Sequence, residues 1–304
     1  MSVLVLDEHQ VRELLPMEEC IEAMDGVLRS LARGELHQPL RFVTRPPEGE
    51  TLMGFMPAWR GGERSTWSLK EIVIAPGNPK RGLDAHQGAV LLHDGVTGEL
   101  QALLNASPIT EIRTAAVSAV ATRALARSGA KVVAILGAGV QGRSHVDAMR
   151  AVLPGAEIRT WSRADSATPE ETLRGADVVC TCTSAREPIL RREWLEPGTH
   201  VNAVGASIPS ARELDTETMA AATLFVDRRE STVNESGDLL LAGLGADHIR
   251  AELGEVLTGS HPGRADRDEL TLFKSLGIAV EDLAAAELVV RTAREQGVGT
   301  EVDF

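Results

Sequence analysis

The sequence predicts an α/β protein in which a doubly wound parallel sheet is accompanied by a second, α+β domain. From Lys131 onward, strand-like and helix-like runs alternate, which is typical of a parallel sheet with helices on both faces. A complete G-x-G-x-x-G pattern occupies residues 137–142, directly after the apolar run 131–136. The first third of the chain instead combines one helical stretch with several β-rich segments.

Length, charge and cysteine content narrow the class of protein. The 304 residues suit two domains of ordinary size. The net charge of -13 disfavours nucleic acid or an anionic membrane as a partner, because either would be repelled. No basic leader segment or run of eighteen apolar residues is present, so we expect a cytoplasmic protein. Cys20, Cys180 and Cys182 lack metal-ligand spacing, so we expect buried structural thiols and no metal site.

The first domain is predicted to begin with a helix and continue as a sheet. The helix is expected over residues 16–33. Strands are expected over residues 41–44, 51–57, 67–74, 88–94 and 100–105. Turn-forming clusters such as Arg60-Gly61-Gly62-Glu63 separate the segments, which favours a largely antiparallel sheet. An alanine-rich helix is predicted over residues 110–127 and leads into the second domain.

The second domain is predicted to have a shortened parallel sheet. Its strands are expected over residues 132–136, 157–161, 178–182, 200–204 and 223–227. Only residues 162–177 separate the second strand from the third, too few for the usual crossover helix, additional strand and second helix. We therefore expect one βα unit to be missing. The chain is predicted to end in a helix that begins near residue 274 and reaches residue 296.

The glycine pattern indicates a dinucleotide-binding turn. Gly137 permits a tight turn, Gly139 lets the backbone approach a pyrophosphate, and Gly142 lets the next helix pack closely on the sheet. Val140 and Gln141 open that helix, whose N-terminal N–H groups would face the phosphates. The alternative is a glycine-rich structural turn. The strand before the pattern and the helix after it favour a Rossmann domain.

The residues after the second predicted strand favour NADP(H) over NAD(H). NAD-specific sites place an acidic side chain there, whereas this chain has Ser162 and Arg163. A hydroxyl and a guanidinium suit a 2′-phosphate. Asp165 keeps NAD(H) open, and Arg163 is alternatively a solvated loop residue. Thr183 and Ser275 are also predicted to contact the cofactor.

One lysine and two arginines of the first domain form a candidate substrate site. Lys70 lies within a strand-like apolar run, where burial and cationic neighbours would lower its pKa so that it acts as an acid near neutrality. Arg41 and Arg113 can bind a carboxylate by bidentate contacts. The alternative for Lys70 is a solvated edge lysine. His86 is a further candidate to line the site, or a structural histidine. Because the chain has no tyrosine, the Tyr–Lys pair of short-chain dehydrogenases is excluded.

These residues lie in segments that resemble the ornithine cyclodeaminase/mu-crystallin family over nearly the whole chain. The matching segments are 38–41, the strand around Lys70, 86–88, 113–116, 137–142, 201–207, 235–238, 252–256 and 273–277. The resemblance implies a homodimer. Each subunit would have a Rossmann domain, residues 113–279, and a substrate and dimerisation domain, residues 1–112, completed by a C-terminal helix over 280–304.

The resemblance also implies roles for the basic residues and an activity. Arg41 and Arg113 would hold a substrate carboxylate, with Lys70 beside the reacting carbon and nitrogen. Cyclodeaminases of the family carry an Asp where this chain has Ser207, and a neutral serine cannot act as that carboxylate base. The segment around Ser207, which would line the substrate site, is similar to the mu-crystallin and ketimine reductase branch.

That branch implies NAD(P)H-dependent reduction of small cyclic imine 2-carboxylates, such as pyrroline- or piperideine-2-carboxylate, to cyclic amino acids. Three alternatives stay open. They are an amino-acid dehydrogenase acting on an open-chain 2-oxo acid, a lyase of the ornithine cyclodeaminase type, and a dinucleotide-dependent binding protein without turnover.

Overall fold

The computed structural model describes residues 2–63 and 65–304. The strands are β1 (Ser2–Leu6), β2 (Leu36–His37), β3 (Phe42–Thr44), β4 (Leu52–Arg60), β5 (Thr66–Ile74), β6 (His86–Asp94), β7 (Leu100–Asn105), β8 (Val132–Leu136), β9 (Glu157–Trp161), β10 (Val178–Thr181), β11 (His200–Ala203), β12 (Thr223–Val226), β13 (Ile249–Glu252), β14 (Thr271–Lys274) and β15 (Thr300–Asp303). The helices are α1 (Glu8–Glu13), α2 (Met17–Ala32), α3 (Ala106–Leu125), α4 (Val140–Val152), α5 (Pro169–Leu173), α6 (Thr216–Ala221), α7 (Arg229–Glu235), α8 (Gly237–Leu241), α9 (Leu253–Leu257) and α10 (Ala279–Gln296).

The chain divides into two compact units. Unit 1 comprises the described residues up to Arg113 together with Ile278–Phe304, and unit 2 comprises Thr114–Gly277. The division falls within α3. None of the helices in the described part of the chain combines the length and apolar character needed to span a bilayer.

Unit 1 is built on a mixed sheet in the order β15-β1-β7-β6-β5-β4-β2, with β3 paired to β4. Strands β4 to β7 are antiparallel neighbours, which confirms the predicted antiparallel sheet, whereas β1 runs parallel to β7. Helix α10 contacts β4, β5 and β6 and also packs against α2. The apolar stripe of α2 explains this packing, because Ile21, Met24, Leu28 and Leu31 recur at helical spacing and are buried.

The two faces of this sheet differ. Met56, Lys70 and Val90 lie opposite one another in register and are buried beneath α10. Since successive side chains alternate between faces, the neighbouring register row points to the other side. That row consists of Pro57, Leu69, Leu91 and Leu103, which are only half-buried.

Unit 2 is a parallel sheet in the order β13-β12-β14-β11-β10-β8-β9, flanked by short helices. The apolar side chains of its central strands are buried, as expected for strands covered on both faces. Strand β9 is the edge of the sheet, and the chain passes from it through the five-residue α5 to β10, on the other side of β8. This confirms that one βα unit of the usual arrangement is missing.

The end of the chain differs from the prediction. The predicted helix over 274–296 begins only at Ala279, because Thr271–Lys274 form β14 between β11 and β12. The helix expected over 280–304 ends at Gln296, where Gly297 takes a left-handed conformation with φ +67°. Thr300–Asp303 then pair with β1 in antiparallel register. The strand has only two apolar residues, Leu272 and Phe273, which are too few to separate a buried strand from a helix start.

Candidate active site

Lys70 and Asp282 form a buried ion pair in unit 1. Lys70 Nζ lies 2.7 Å from Asp282 Oδ2, and both side chains are 1% exposed. Lys70 faces α10 because it alternates with the outward residues of β5, and Asp282 lies in the first turn of α10. The ammonium also donates to the hydroxyl of Thr110, at 3.5 Å. A lysine inside the strand is thus held by a carboxylate from the far end of the sequence.

Arg113 extends this pair into a network. Its Nε donates to Asp282 Oδ1 at 2.9 Å, and its Nη1 donates to Glu281 Oε2 at 2.9 Å. Asp282 therefore bridges Lys70 and Arg113 with its two oxygens. All of these side chains are nearly inaccessible, and pairing with an opposite charge is the condition under which buried charges are tolerated.

The first turn of α10 holds the two carboxylates. Partial positive charge at a helix N-terminus favours acidic side chains such as Glu281 and Asp282. Gln38 Oε1 accepts the Val280 N–H at 2.9 Å, so the segment that precedes Arg41 is bound to the same turn. The matching segment 38–41 and the acidic turn of α10 therefore meet in one place.

The network alters the pKa of its members. Burial is the main cause that lowers the pKa of Lys70 to about 8, with the charges of Arg113 and Arg41 acting in the same direction and Asp282 opposing them. Burial acts to raise the pKa of Asp282, but Lys70 and Arg113 outweigh it and hold that pKa below its usual value. The site thus contains an ionised carboxylate and a lysine that titrates near neutrality.

His86 and Arg41 lie within electrostatic reach of Lys70. Arg41 is half-buried at the residue before β3, and its charge acts on Lys70. His86 begins β6 at the surface, and partial desolvation, then the charges of Lys70 and Arg113, lower its pKa. The structure therefore brings Arg41, Lys70, His86 and Arg113 together in unit 1.

This cluster brings several opposite charges close together. Three cations, Lys70, Arg41 and Arg113, meet two carboxylates, Glu281 and Asp282.

In unit 2, the glycine pattern adopts the geometry expected of a dinucleotide turn. Gly137 has φ +127°, a conformation that side chains disfavour. A Cβ on Gly142 would lie 1.8 Å from the Gly137 carbonyl oxygen, so only glycine permits this approach. A Cβ on Gly139 would meet nothing within 4 Å, which leaves open space beside the backbone at the start of α4. Val140, in that first turn, is 40% exposed.

The turn after β9 contains the residues predicted to select the cofactor. Ser162 is half-buried and Arg163 is exposed. The Asp165 carboxylate accepts the Ser162 N–H at 2.6 Å, and the Asp165 N–H donates to the Ser162 carbonyl. Asp165 is therefore engaged within its own turn, and the Arg163 side chain extends into solvent.

A second buried network holds the carboxyl ends of β10, β11 and β14. Glu213 Oε1 accepts from the N–H and the hydroxyl of Thr183, and its Oε2 accepts from the Thr181 hydroxyl and the Gly205 N–H, each at 2.7 Å. Asp238 accepts a hydrogen bond from the Glu213 N–H at 2.8 Å. It also forms an ion pair with Lys274 Nζ, at 2.8 Å. Burial, the largest influence, raises the pKa of Glu213.

The network fixes two predicted positions. Thr183 is held by Glu213, and Ser275 follows Lys274 directly. The Ser275 hydroxyl is buried and has no hydrogen-bond partner among the described residues, so it can bond to a ligand. Ser207 is half-buried in the loop after β11. The open backbone at Gly139 and the unpartnered Ser275 hydroxyl fit a nicotinamide dinucleotide.

The cysteines do not form a reactive centre. Cys20 and Cys180 are buried and Cys182 is nearly so, and all three are free thiols. Burial raises the pKa of each thiol and so disfavours the thiolate. Within residues 2–63 and 65–304, no group of three His, Cys, Asp or Glu side chains is placed to hold a metal ion.

The acidic partners of both networks were not predicted from the sequence. Glu281 and Asp282 interrupt a run that is otherwise alanine and aliphatic, and Glu213 and Asp238 lie beside apolar residues. Acidic side chains inside such runs are almost never buried without a partner. That anomaly was the available signal, although it does not identify the partner.

The chain is similar to known proteins over nearly its whole length. The model of the ornithine cyclodeaminase/mu-crystallin family matches residues 1–169 and 164–297. Mouse ketimine reductase mu-crystallin is 41% identical over 288 residues, which cover 88% of this chain and 90% of the mouse protein.

Two solved structures are similar at full length. Thermococcus litoralis Δ1-pyrroline-2-carboxylate reductase, in complex with NADH and L-proline, has a TM-score of 0.91 and 34% identity and covers 99% of this chain and 100% of its own. An archaeal alanine dehydrogenase dimer with bound NAD has a TM-score of 0.91 and 29% identity, with 100% of both chains covered. Both the geometry and these similarities agree with the resemblance carried by the sequence segments, and the chain belongs to the ornithine cyclodeaminase/mu-crystallin family.

Proposed function

We propose that this protein is an NAD(P)H-dependent reductase that converts small cyclic imines bearing a 2-carboxylate into cyclic amino acids. Pyrroline- and piperideine-2-carboxylate are the substrates that we expect. The observation that carries the proposal is the buried Lys70, whose Nζ lies 2.7 Å from Asp282 Oδ2 in a cluster to which Arg41 and Arg113 add two further cations. Such a cluster suits a carboxylate whose neighbouring nitrogen must be protonated. The similarity to a ketimine reductase and a pyrroline-2-carboxylate reductase supports the same chemistry.

Arg41 is the principal partner of the substrate carboxylate in this proposal. Arg113 already donates to Asp282 and Glu281, so a large part of its hydrogen-bonding capacity is committed. Arg41 is half-buried and close enough to influence Lys70. A bidentate contact from Arg41 orients the carboxylate, and Arg113 adds positive charge beneath it.

Lys70 supplies the proton. Protonation of the imine nitrogen makes the adjoining carbon a better hydride acceptor, and a general acid is most effective when its pKa lies near the working pH. A bound nicotinamide dinucleotide supplies the hydride, and Gly137, Gly139, Gly142 and Ser275 are the residues that would hold it. Lys70 regains a proton from solvent after each turnover.

Turnover on imines is the direct test. Purified protein is incubated with NADPH or NADH and either pyrroline- or piperideine-2-carboxylate, and cofactor oxidation is followed by absorbance. We expect oxidation that depends on the imine and formation of proline or pipecolate. Absence of turnover on every cyclic or acyclic imine offered would refute the proposal.

We further propose that NADPH is preferred over NADH. Support comes from Ser162 and the exposed Arg163 after β9, and from Asp165, whose carboxylate is engaged within its own turn. The expected result is a higher kcat/KM with NADPH, and loss of that preference in Arg163→Ala. Equal or greater activity of the wild-type protein with NADH would contradict it.

An amino-acid dehydrogenase is the second candidate. It is favoured by the similarity to an archaeal alanine dehydrogenase. The same cluster could receive an open-chain imine formed from a 2-oxo acid and ammonia. NAD(P)H oxidation by pyruvate that requires ammonia and exceeds the rate with cyclic imines would favour this candidate. Cyclodeaminase activity is disfavoured by Ser207, and ammonia release from ornithine without added reductant tests it.

We also propose a homodimer that pairs the outer sheet face of unit 1 with a second copy. The row of Pro57, Leu69, Leu91 and Leu103 is apolar and only half-buried, and Trp67 on the same face is 43% exposed. Contiguous exposed apolar surface of this kind marks protein interfaces. Sedimentation should give a dimer, and Leu69→Glu with Leu91→Glu should give a monomer. A monomeric wild-type protein would contradict this proposal.

A further inference from the structure

The chain contains four lysines, Lys70, Lys80, Lys131 and Lys274. Lys80 and Lys131 are exposed, whereas Lys70 and Lys274 are buried. Each buried lysine contacts one aspartate, Asp282 for Lys70 and Asp238 for Lys274. A buried ammonium without such a partner loses its proton. The aspartate therefore decides whether the lysine can serve as a proton donor.

Asp282 is placed to remain ionised. Its two oxygens contact Lys70 Nζ at 2.7 Å and Arg113 Nε at 2.9 Å, and it lies in the first turn of α10. Two cations and the positive end of the helix all favour the carboxylate form. Asp282 thus stays ionised and does not take up or release the transferred proton.

The other groups that face Lys70 do not replace this charge. From α3 and the segment before β3 come Arg113 and Arg41, whose charges disfavour a protonated lysine. From β6 comes His86, and from the neighbouring register positions of β4 and β6 come the apolar Met56 and Val90.

Two further groups act near Arg113. Glu281 contacts Arg113, 2.9 Å away, and Cys20 of α2 lies within electrostatic reach of Arg113 and Glu281. Burial raises the pKa of Cys20, so its thiol stays neutral. Asp282 is therefore the carboxylate in direct contact with Lys70.

We propose that Asp282 is a positioning residue that keeps Lys70 protonated and directed for proton transfer to the imine nitrogen. The proposal rests on the proposed reductase function. In the step, one N–H bond of the Lys70 ammonium breaks and an N–H bond forms at the imine nitrogen, and a bound nicotinamide dinucleotide would supply the hydride to the neighbouring carbon. Lys70 is left as a neutral amine beside an unchanged Asp282 carboxylate.

The first experiment measures kcat/KM against pH. The wild-type rate should fall as pH rises through about 8, where Lys70 loses its proton. In Asp282→Asn the fall should move to lower pH by about 1 to 3 units, because an opposite charge at this distance supports the protonated form by that amount. Asp282→Glu, which keeps the charge, should lose activity over the same pH range as the wild type, with a lower kcat.

Two variants on the same helix are matched controls. Glu281→Gln removes a carboxylate that contacts Arg113, so its main effect should be on KM for the carboxylate substrate, with a smaller shift of the pH at which activity falls. Glu287→Gln removes the half-exposed partner of Arg60 and should leave the profile unchanged. An Asp282→Asn profile that overlays the wild type would overturn the proposal.

The second experiment needs no turnover. Lysine labelled with carbon-13 at Cε gives signals from only four residues, and Lys70→Met identifies that of Lys70. In the cofactor-free protein, Asp282→Asn should lower the titration midpoint of the Lys70 signal. Asp238→Asn should leave the Lys70 midpoint in place, and Lys80 and Lys131 serve as exposed references.

The outcomes separate the two proposals. A shifted Lys70 midpoint without imine turnover would refute the reductase function and keep the Lys70 and Asp282 coupling. Turnover with an unshifted midpoint would refute the role of Asp282 alone. If Asp282→Asn does not fold, Asp282→Glu decides, because a wild-type kcat together with an unaltered Lys70 signal would exclude a positioning role.

Discussion

The carboxylate of Glu213 receives both the backbone N–H and the hydroxyl of Thr183, each at 2.7 Å. Two further bonds from Thr181 and Gly205 complete its four acceptor positions. One buried side chain therefore holds the loops that follow β10 and β11, and the geometry of these loops depends on it.

Replacing Glu213 should destabilise the loops that follow β10 and β11. Glu213→Ala leaves several buried donors without an acceptor and should destabilise the protein by about 3 kcal/mol or more. Weaker dinucleotide binding should accompany the loss. Thermal unfolding and cofactor titration measure the two effects, and Glu217→Gln, on the exposed face of α6, is the control. Unchanged stability in Glu213→Ala would contradict the assigned role.

Two glycine substitutions should separate folding from cofactor binding. Gly142→Ala places a Cβ 1.8 Å from a carbonyl oxygen and should lower the melting temperature of the cofactor-free protein. Gly139→Ala places its Cβ in open space at φ -74°, so the fold should be retained. The methyl group would occupy the space expected for a pyrophosphate, and Kd for the dinucleotide should rise. Equal affinity of Gly139→Ala and wild type would argue against a cofactor there.

Lys70→Met should abolish most of the activity. Loss of a positioned general acid typically costs about 100-fold to 10,000-fold in rate. Since the dinucleotide residues belong to unit 2, cofactor affinity should be kept. Steady-state kinetics and cofactor titration of the same preparation check both statements. Near wild-type kcat in Lys70→Met would assign the proton to another donor.

The stability of the protein should depend on pH through Lys70. Its folded pKa, lowered by burial to about 8, lies below the ordinary value of 10.5. Between these values the unfolded chain binds more protons, so the Lys70 contribution to the free energy of unfolding rises with pH, by at most about 3 kcal/mol. Urea unfolding of wild type and Lys70→Met should be measured at several pH values between the folded and the ordinary pKa of Lys70. Over that range the free energy of unfolding of the wild type should rise with pH relative to that of the variant. If the free energies of unfolding of the two proteins change with pH in parallel, the pKa of Lys70 is the same in the folded and the unfolded chain.

Arg41→Ala should act mainly on substrate binding. Loss of a charged bidentate contact costs about 2 kcal/mol, which corresponds to a roughly 30-fold increase in KM for the imine. Arg41→Lys should recover only part of the loss, because an ammonium cannot make the forked contact. If KM is unaltered in both variants, the carboxylate is bound elsewhere.

The sequence predicted those elements whose signals are local. Strands β7 and β8 have the bounds expected from alternation and from the glycine pattern, and the missing βα unit followed from a chain segment too short to contain it. Strand β14 was not predicted, and its last residue, Lys274, was assigned to the following helix, because the two apolar residues Leu272 and Phe273 carry no usable period.

Only the basic residues of the candidate site were predictable from the sequence. Lys70, Arg41 and Arg113 were found from residue type, position and resemblance. Their partners Glu281 and Asp282 are contributed by α10, near the other end of the chain. Such a pairing depends on how distant segments pack, which local propensity does not encode.

The interrupted course of unit 1 sets an order of assembly. Unit 2 is continuous from Thr114 to Gly277, whereas unit 1 needs both its first segment and the residues from Ile278 onward. During synthesis from the N-terminus, a continuous domain can fold as soon as its last strand has emerged. The dinucleotide unit is therefore continuous in the chain, whereas Lys70 gains its carboxylate partner only when the segment from Ile278 onward joins unit 1. A released chain truncated after Gly277 should bind dinucleotide but leave Lys70 without its Asp282 partner.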